Sequence, residues 1–411
     1  MLADYKKSID TFPDNVVVIG SGRWARVLTE VLCAILPLRV TLSIHSNRNV
    51  NGIKQWLAER SLKHKVDVYS GFSTLPSNKL NAVIVVNAAR DHEQSVEWAL
   101  GQGCPVLVEK PICLNSFSAQ RLVNLALARN VYLATAHCFL FASYIESFAK
   151  LVSYEKKIQS LRVLWMDPQS ESRYGETKSY DPGLPVYADW LPHILSILGS
   201  FVPSPIWLCK NLIFLRGGSH LNIHFTCNHL QLHVELIRNG DSRQRIIEVI
   251  TRHKKIFLDF SCEPGIIYTD GAVLGEDTQW NSNPKPVSKM LSAFLKGAAG
   301  GTRDVRLNCS IGLSASQVID QVTSIYRAAL LPWLIQELGA CQDLISSDLR
   351  YAINEILQMD DPNSSISIEQ RIAYTYRNIK ERVKASNVEK KFCFEGVLTQ
   401  IIKEGRISSY L

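Results

Sequence analysis

Two groups of residues in this chain have types and spacings that could do chemistry. One is Gly20-Ser21-Gly22-Arg23-Trp24-Ala25, which follows the apolar run Asn15-Val16-Val17-Val18-Ile19 and opens a helical pattern. The other is a dispersed trio: Lys110, in Val106-Leu107-Val108-Glu109-Lys110-Pro111, and Asp189 and His193, in Asp189-Trp190-Leu191-Pro192-His193. The first is a G-x-G-x-x-A pattern, weak alone but informative when a strand precedes it and a helix follows. Gly20 then permits the tight turn. Gly22 lacks the Cβ that would hold a pyrophosphate off the backbone, and Ala25 lets helix and strand pack closely. Arg23 and Trp24 stand in the first helical turn, whose free N–H groups and partial positive charge attract phosphate. The bland alternative is a structural strand-to-helix turn with no ligand.

The second strand refines the cofactor. NAD sites usually carry Asp or Glu at its end, about 20 residues on, to bind the ribose 2′-hydroxyl. Here the run Arg39–Ile44 continues into His45-Ser46-Asn47-Arg48, with no carboxylate. Ser46 and Asn47 can donate to a phosphate, and Arg48 can form a charge-assisted pair with it. This predicts NADP(H) in preference to NAD(H); the alternative is an exposed polar turn.

In the trio, His193 is of a type that exchanges protons near neutral pH. Lys110 can polarise a substrate oxygen or nitrogen and help place a nicotinamide. Asp189 lies one helical turn before His193, so both can face one cleft, where Asp189 would orient substrate or tune the imidazole. Pro111 sets a turn that presents Lys110 at the carboxyl end of a strand, where open α/β sheets bind ligands. A solvated turn lysine and a satisfied buried histidine are the alternatives.

The elements that must position these groups are legible in outline. Up to about residue 140, short apolar runs (15–19, 39–44, 66–69, 82–86, 106–108 and 131–136) alternate with helical patterns at 27–35, 53–60, 92–101 and 116–128. That alternation predicts βαβ units and a doubly wound parallel sheet buried on both faces. From about 205 the texture changes to strand-like runs at 206–215, 221–226, 230–236, 245–251 and 255–260. These are joined by Arg216-Gly217-Gly218-Ser219 and Asn239-Gly240-Asp241-Ser242. Asn-Gly signals a hairpin, so an antiparallel meander is expected. Segments 286–296 and 311–329 read as helices. The last eighty or so residues read as a helical extension, with a capping box at Ser367-Ile368-Glu369-Gln370. Its stripe Ile368, Ile372, Tyr376, Ile379 and Val383 suits core or subunit contact.

Composition excludes several classes. With 46% hydrophobic and 20% charged residues, 22 Gly and 16 Pro, the chain is neither disordered nor collagen-like. The net charge of +7 is spread over 45 basic and 38 acidic residues; it favours small anionic ligands over nucleic acid. Ten cysteines include no C-x-x-C pair, which suits reduced thiols. Neither a signal peptide nor a membrane span is expected, and the expected location is the cytoplasm. No metal is expected: His220 and His224, like His229 and His233, fall in strand sequence, where residues four apart lie about 13 Å from each other.

The motifs, taken in order, resemble those of the Gfo/Idh/MocA oxidoreductases from about residue 14 to 330. Glu109-Lys110-Pro111 is similar to the family's E-K-P signature, and Gly20-Ser21-Gly22-Arg23-Trp24 to its glycine turn. Asp189-Trp190-Leu191-Pro192-His193 resembles its D-x-x-x-H segment, and His92 matches a habitual position. The departures are Ser196 for a second Asp, Asn87-Ala88-Ala89 for Thr-Pro-Asn, and Gly183-Leu184-Pro185-Val186-Tyr187-Ala188 for a glycine-rich stretch. They fall on the substrate side of the pattern. The resemblance implies a Rossmann-like dinucleotide-binding domain (1–140), a substrate and oligomerisation domain on an open, mostly antiparallel sheet (141–330) and a helical extension (331–411). It implies that Lys110, His193 and Asp189 are catalytic and that Asn87, His92, Glu109 and Lys110 join the glycine turn in binding cofactor. His137 and Tyr144, after the sixth strand, and Tyr174, Tyr180 and Tyr187, before Asp189, are candidate pocket walls. The implied activity is NADP(H)-dependent hydride transfer to or from a C=O/CH–OH bond of a sugar- or cyclitol-like molecule, by a homodimer or homotetramer. One alternative is an imine reductase like the thiazolinyl imine reductases, although those typically carry histidine in place of the E-K-P lysine. Another is a dinucleotide-binding regulator that acts through protein contacts.

Overall fold

The computed structural model describes residues 12–47, 49–72, 75, 79–155, 157–168, 170–173, 176–177, 184–275 and 277–340. Arg48, Tyr174, Tyr180, Gly183 and the extension after residue 340 lie outside the described residues.

Six strands form the first sheet: β1 (Asn15–Ile19), β2 (Thr41–Ser46), β3 (Val66–Ser70), β4 (Asn81–Val85), β5 (Val106–Glu109) and β6 (Leu133–Ala136). Every neighbouring pair is parallel, in the order β3-β2-β1-β4-β5-β6. All residues of β1 and β4 are buried, as expected of strands covered on both faces. The coverings are α1 (Arg23–Ile35), α2 (Val50–Glu59), α3 (His92–Gly101) and α4 (Ser116–Ala128). Asn115 caps α4 by accepting from the Ser118 N–H at 2.8 Å, satisfying one of the donors a helix start leaves open. Strand order reverses between β1 and β4, and the crevice at their carboxyl ends is where such sheets take ligands.

After α5 (Ser143–Ser153) come β7 (Ile158–Pro168), the short ribbon β8 (Ser172–Arg173) and β9 (Glu176–Thr177), and α6 (Val186–Gly199). Seven strands follow: β10 (Leu208–Leu215), β11 (His220–Cys227), β12 (Leu230–Gly240), β13 (Gln244–Thr251), β14 (Lys255–Asp259), β15 (Ile266–Thr269) and β16 (Ala272–Gly275). They and β7 make an eight-stranded sheet in the order β10-β11-β12-β7-β13-β14-β15-β16. The pairs are antiparallel except β12 with β7. The expected meander is therefore interrupted. β12, which ends in Asn239-Gly240, and β13, which begins at Gln244, do not pair as a hairpin, because β7 lies between them. That stretch bears no turn signal of its own, yet alternates inward Leu161, Val163, Trp165 and Asp167 with less buried residues.

α6 is buried on most of its surface, packed with the inner face of this sheet. α7 (Pro286–Ala298) and α8 (Cys309–Ala340) then return to the first sheet. Met290, Leu291, Phe294 and Leu295 share a core with β1 and α1, and α8 touches α4, β6 and α6. No helix among the described residues is long and apolar enough to cross a membrane.

The histidine cluster lies on the outer face of the second sheet. Registry, not sequence spacing, decides its contacts: His224 faces His233 across β11–β12 with ring centroids 4.0 Å apart, and His220 Nε2 meets Glu235 at 3.0 Å. No group of three or more potential metal ligands occurs among the described residues.

Candidate active site

At the end of β1 the glycine turn is built as its pattern predicts, with a sharper reason for Gly20. Its φ is +143°, and a Cβ there would meet the Val86 carbonyl oxygen at 2.7 Å, so only glycine lets β1 turn against the end of β4. Gly22 differs. A Cβ on it would meet nothing within 4 Å, so the protein's own packing does not demand glycine there, and open space faces the start of α1. That helix has no side-chain cap and no acidic residue in its first turn. Its leading N–H groups are available to an anion, as at other phosphate-binding helix starts.

Trp24, in the same turn, lies close enough to Glu109 at the end of β5 for its indole N–H to favour the carboxylate. Burial pushes the Glu109 carboxyl up to about 7, against the opposing pull of Lys110 and Trp24. Ser46 is buried at the end of β2, Asn47 is exposed beside it, and neither position offers a carboxylate. Asn87 donates from Nδ2 to Ser95 Oγ at 2.8 Å. His92 turns both ring nitrogens to backbone: Nδ1 lies 2.8 Å from the Pro111 carbonyl and Nε2 3.2 Å from that of Asn87. It clips the loop after β4 to the Lys110–Pro111 turn.

The dispersed trio converges. Lys110 Nζ donates to Asp189 Oδ1 at 2.6 Å and to the Asp189 carbonyl oxygen at 2.9 Å. Arg238, at the end of β12, donates from Nη2 to Asp189 Oδ2 at 3.2 Å. The side chains of Lys110, Asp189 and Arg238 are 11%, 23% and 4% exposed. Burial works against the ammonium, but Asp189 and then Glu109 outweigh it, so Lys110 stays protonated above the ordinary lysine range. Burial also works against the Asp189 carboxylate, yet Lys110 and Arg238 hold it well below the usual range.

His193 follows Asp189 by one turn of α6 and sits within the field of Lys110. Burial first, and then the charge of Lys110, depress its pKa well below that of a free imidazole, with Asp189 opposing. The near-neutral titration expected from residue type gives way to a ring that is neutral at pH 7. Its orientation comes from aromatic neighbours. It stacks on Trp165 with ring centroids 5.9 Å apart and planes 5° from parallel, and meets Phe139 edge-on at 5.0 Å. Nδ1 is buried with no hydrogen-bond partner among the described residues. Behind this shelf Arg245 lies 4.4 Å over the Trp165 ring and donates to Asp167 at 2.9 and 3.3 Å.

Of the weaker candidates, Tyr187 points away from the site: its hydroxyl is 2.9 Å from Thr323 Oγ1 on α8 and its ring packs on Tyr326. Tyr144 is buried among Phe260 and Trp280, and burial pushes its phenol far up. His137 is buried next to Lys110 and His193. Sequence reasoning missed Arg238, Arg245, Asp167 and Trp165. The signal was parity: Arg238 follows inward Leu232, Val234 and Leu236, and Arg245 precedes inward Ile247 and Val249. A charged residue on the core side of a strand needs a buried partner.

Residues 15–137 match the family model described as an oxidoreductase family with NAD-binding Rossmann fold. No curated protein matches the sequence significantly. Solved structures share the architecture across both sheets. UDP-N-acetylglucosamine 3-dehydrogenase GnnA from Acidithiobacillus ferrooxidans aligns over 77% of this chain and 98% of its own, with TM-score 0.63 and 17% identity. KijD10, a 3-ketoreductase from Actinomadura kijaniata in complex with TDP-benzene and NADP, aligns over 76% and 97%, with TM-score 0.60 and 18% identity. The dehydrogenase MviM from Clostridium difficile aligns over 75% and 98%, with TM-score 0.59 and 11% identity. At such identities the likeness establishes the fold. Residues 15–137 thus resemble the NAD-binding Rossmann domain of the Gfo/Idh/MocA oxidoreductases, and the architecture of both sheets is that of the solved dehydrogenases and ketoreductase.

Proposed function

We propose that this chain is an NADP(H)-dependent oxidoreductase that interconverts C=O and CH–OH in a sugar- or cyclitol-like small molecule, with Lys110, Asp189 and His193 as its catalytic residues. The observation that carries this reading is the meeting of Lys110 with Asp189 at 2.6 Å, one helical turn from His193, at the carboxyl edge of the parallel sheet. The glycine turn, the uncapped start of α1 and the Trp24–Glu109 contact suit a dinucleotide there. Bound there, the nicotinamide supplies or accepts the hydride. Lys110, held charged by Asp189, donates to the substrate oxygen and stabilises negative charge as it develops. His193, neutral in the free chain, accepts the hydroxyl proton during oxidation and returns it during reduction. Asp189 fixes the Lys110 ammonium, while Trp165 and Phe139 fix the imidazole plane. The neighbours named as a nucleotide-sugar dehydrogenase and a 3-ketoreductase make nucleotide-linked keto-sugars the first substrates to try.

NADP(H) is favoured by the absence of a carboxylate at the end of β2 and by the NADP of the KijD10 complex. A homo-oligomer formed on the outer face of the second sheet fits its alternating pattern, which leaves the Phe257–Tyr268 stack away from the core; light scattering checks it.

The test is a panel of UDP- and TDP-linked sugars and 3-keto sugars, free cyclitols and cyclic imines, followed at the nicotinamide absorbance with both coenzymes. Lys110→Ala and His193→Ala should abolish turnover and leave coenzyme binding intact; normal rates in either variant would remove the assignment. Arg48→Ala should weaken NADPH much more than NADH, and equal losses would undo the phosphate argument. A chain that binds NADPH but reduces nothing on the panel favours the regulator reading.

A further inference from the structure

His137 is a fully buried titratable group in this site for which neither the fold nor the proposed chemistry has a use. It follows the last residue of β6, and the register Glu109↔Ala136 puts it alongside Lys110, one step beyond each strand end. Its side chain has no solvent exposure. Among the described residues neither of its ring nitrogens has a hydrogen-bond partner. The helical turn Cys138–Phe141 begins immediately after it and carries Phe139 to the edge of His193. Three elements thus bring polar groups within one another's field: Lys110 from the end of β5, His193 from α6 and His137 from the end of β6.

A neutral imidazole always carries one N–H and one lone pair. Burying both without partners costs stability, and the fold offers no local compensation. Other buried polar groups of the site are used differently. The Lys110 ammonium is satisfied by Asp189 and Arg245 by Asp167, and the single N–H of neutral His92 has a carbonyl acceptor. The groups around the His137 ring bar it from acid catalysis. Burial and the adjacent Lys110 charge push its pKa down to about 3, so it stays neutral. What remains open to it is neutral hydrogen bonding.

We propose that His137 is a substrate-binding and specificity-determining residue, which hydrogen-bonds a neutral hydroxyl on the carbon next to the one that Lys110 and His193 serve. This rests on the enzymatic reading above and narrows it: the substrate is a hydroxy-carbonyl compound or its reduced polyol, and a simple ketone or unfunctionalised imine leaves His137 unpaired. A site that leaves a buried polar group unpaired rejects the analogue lacking its partner far better than a purely apolar pocket does.

The experiment compares His137→Leu and His137→Gln in the full chain by thermal unfolding without ligand and by kcat/KM with the best substrate of the panel. Leucine removes the unpaired donor and acceptor at similar volume. The midpoint should rise by about 2 °C or more, while kcat/KM falls about tenfold or more, chiefly through KM, and NADPH affinity holds. Glutamine, which keeps a donor and an acceptor, should recover part of the lost activity. A substrate analogue lacking the neighbouring hydroxyl should lose little further between wild type and His137→Leu. A lowered midpoint in His137→Leu would make the ring structural, and unchanged kcat/KM would remove it from the substrate; either overturns the proposal. If the wild type turns over nothing, the enzymatic reading fails by itself, while the thermal comparison still decides whether the fold tolerates His137 or depends on it.

Discussion

Asp189→Asn isolates the charge that the candidate site is built around. The carboxylate is shared by two cations, Lys110 at 2.6 Å and Arg238 at 3.2 Å. Both cations are nearly buried, so the amide removes the counterion that the two share. Breaking a buried pair by removing one partner costs about 3–5 kcal/mol. Asparagine keeps the shape and one acceptor, and Asp189 retains some solvent contact, so the lower end, about 3 kcal/mol, is expected. Urea unfolding at pH 7 reads it directly. Two pH effects accompany it. In the wild type the Asp189 pKa is depressed. Its contribution to stability is complete above the unfolded value of about 3.9 and is lost as pH falls through the depressed folded value; the variant lacks this acid-side loss. On the basic side, Asp189 is the main group opposing the burial of Lys110. Without it burial dominates and the ammonium loses its proton at lower pH, so turnover should acquire a basic limb that the wild type lacks below about 10. An Asp189→Asn protein with wild-type unfolding energy and an unshifted basic limb would refute the ion-pair account of the site.

Other consequences follow from single contacts. Gly20→Ala places a methyl 2.7 Å from the Val86 carbonyl oxygen at a φ of +143°; a loss of roughly 1–3 kcal/mol in unfolding energy with weakened NADPH binding is expected, and a neutral effect in fluorescence titration and denaturation would contradict the packing. Trp165→Leu removes the ring on which His193 stacks; kcat should fall more than KM rises and the acid limb should move toward pH 6.5, with Trp165→Phe recovering most of the rate. His92, His137 and His193 are all held neutral in the folded chain, with pKa values below that of the unfolded imidazole. The stability they contribute is therefore complete above about pH 6.5 and declines as pH falls beneath it, with a limiting slope of roughly 4 kcal/mol per pH unit; flat urea midpoints between pH 7.5 and 5 would show that these rings titrate normally.

The first sheet was legible because β1, β4 and β5 are almost wholly apolar runs, its helices have regular spacing, and Gly20, Pro37 and Pro111 punctuate them. The glycine turn and the trio Lys110, Asp189 and His193 were legible for a different reason, since residue type and offset suffice to nominate them. The second sheet was only half legible. Asn239-Gly240 carries a hairpin signal, but strand order is settled by which edges have partners, and β7, some 70 residues upstream, takes the place between β12 and β13. Local sequence holds no record of that insertion. The same insertion sets Trp165 and Asp167 beside Arg245, which is why a shelf made from β7 and β13 could not be assembled from spacing. His92 shows the limit from the other side: residue type and position single it out, while the approach of its ring nitrogens to two backbone carbonyls emerges only from the fold.

The site is also the joint of the molecule. Lys110 belongs to the first sheet, Asp189 and His193 to α6, and Arg238 and Arg245 to the second sheet. The Asp189 carboxylate is thus where an ammonium from one sheet and a guanidinium from the other are neutralised together. The charge state of the reacting groups depends on the two sheets being docked, because only docking supplies both the burial that keeps His193 neutral and the carboxylate that keeps Lys110 charged. α7 and α8, which return from the second sheet to pack on α1, α4 and β6, hold that docking through apolar contacts distant from the reacting groups. If these groups carry the proposed chemistry, ionisation set at such a joint is lost before the fold when the joint loosens. Substitutions that weaken the α7–α1 contact, such as Phe294→Ala, should therefore lower turnover and raise the apparent pKa of His193 under conditions where circular dichroism still reports both sheets intact.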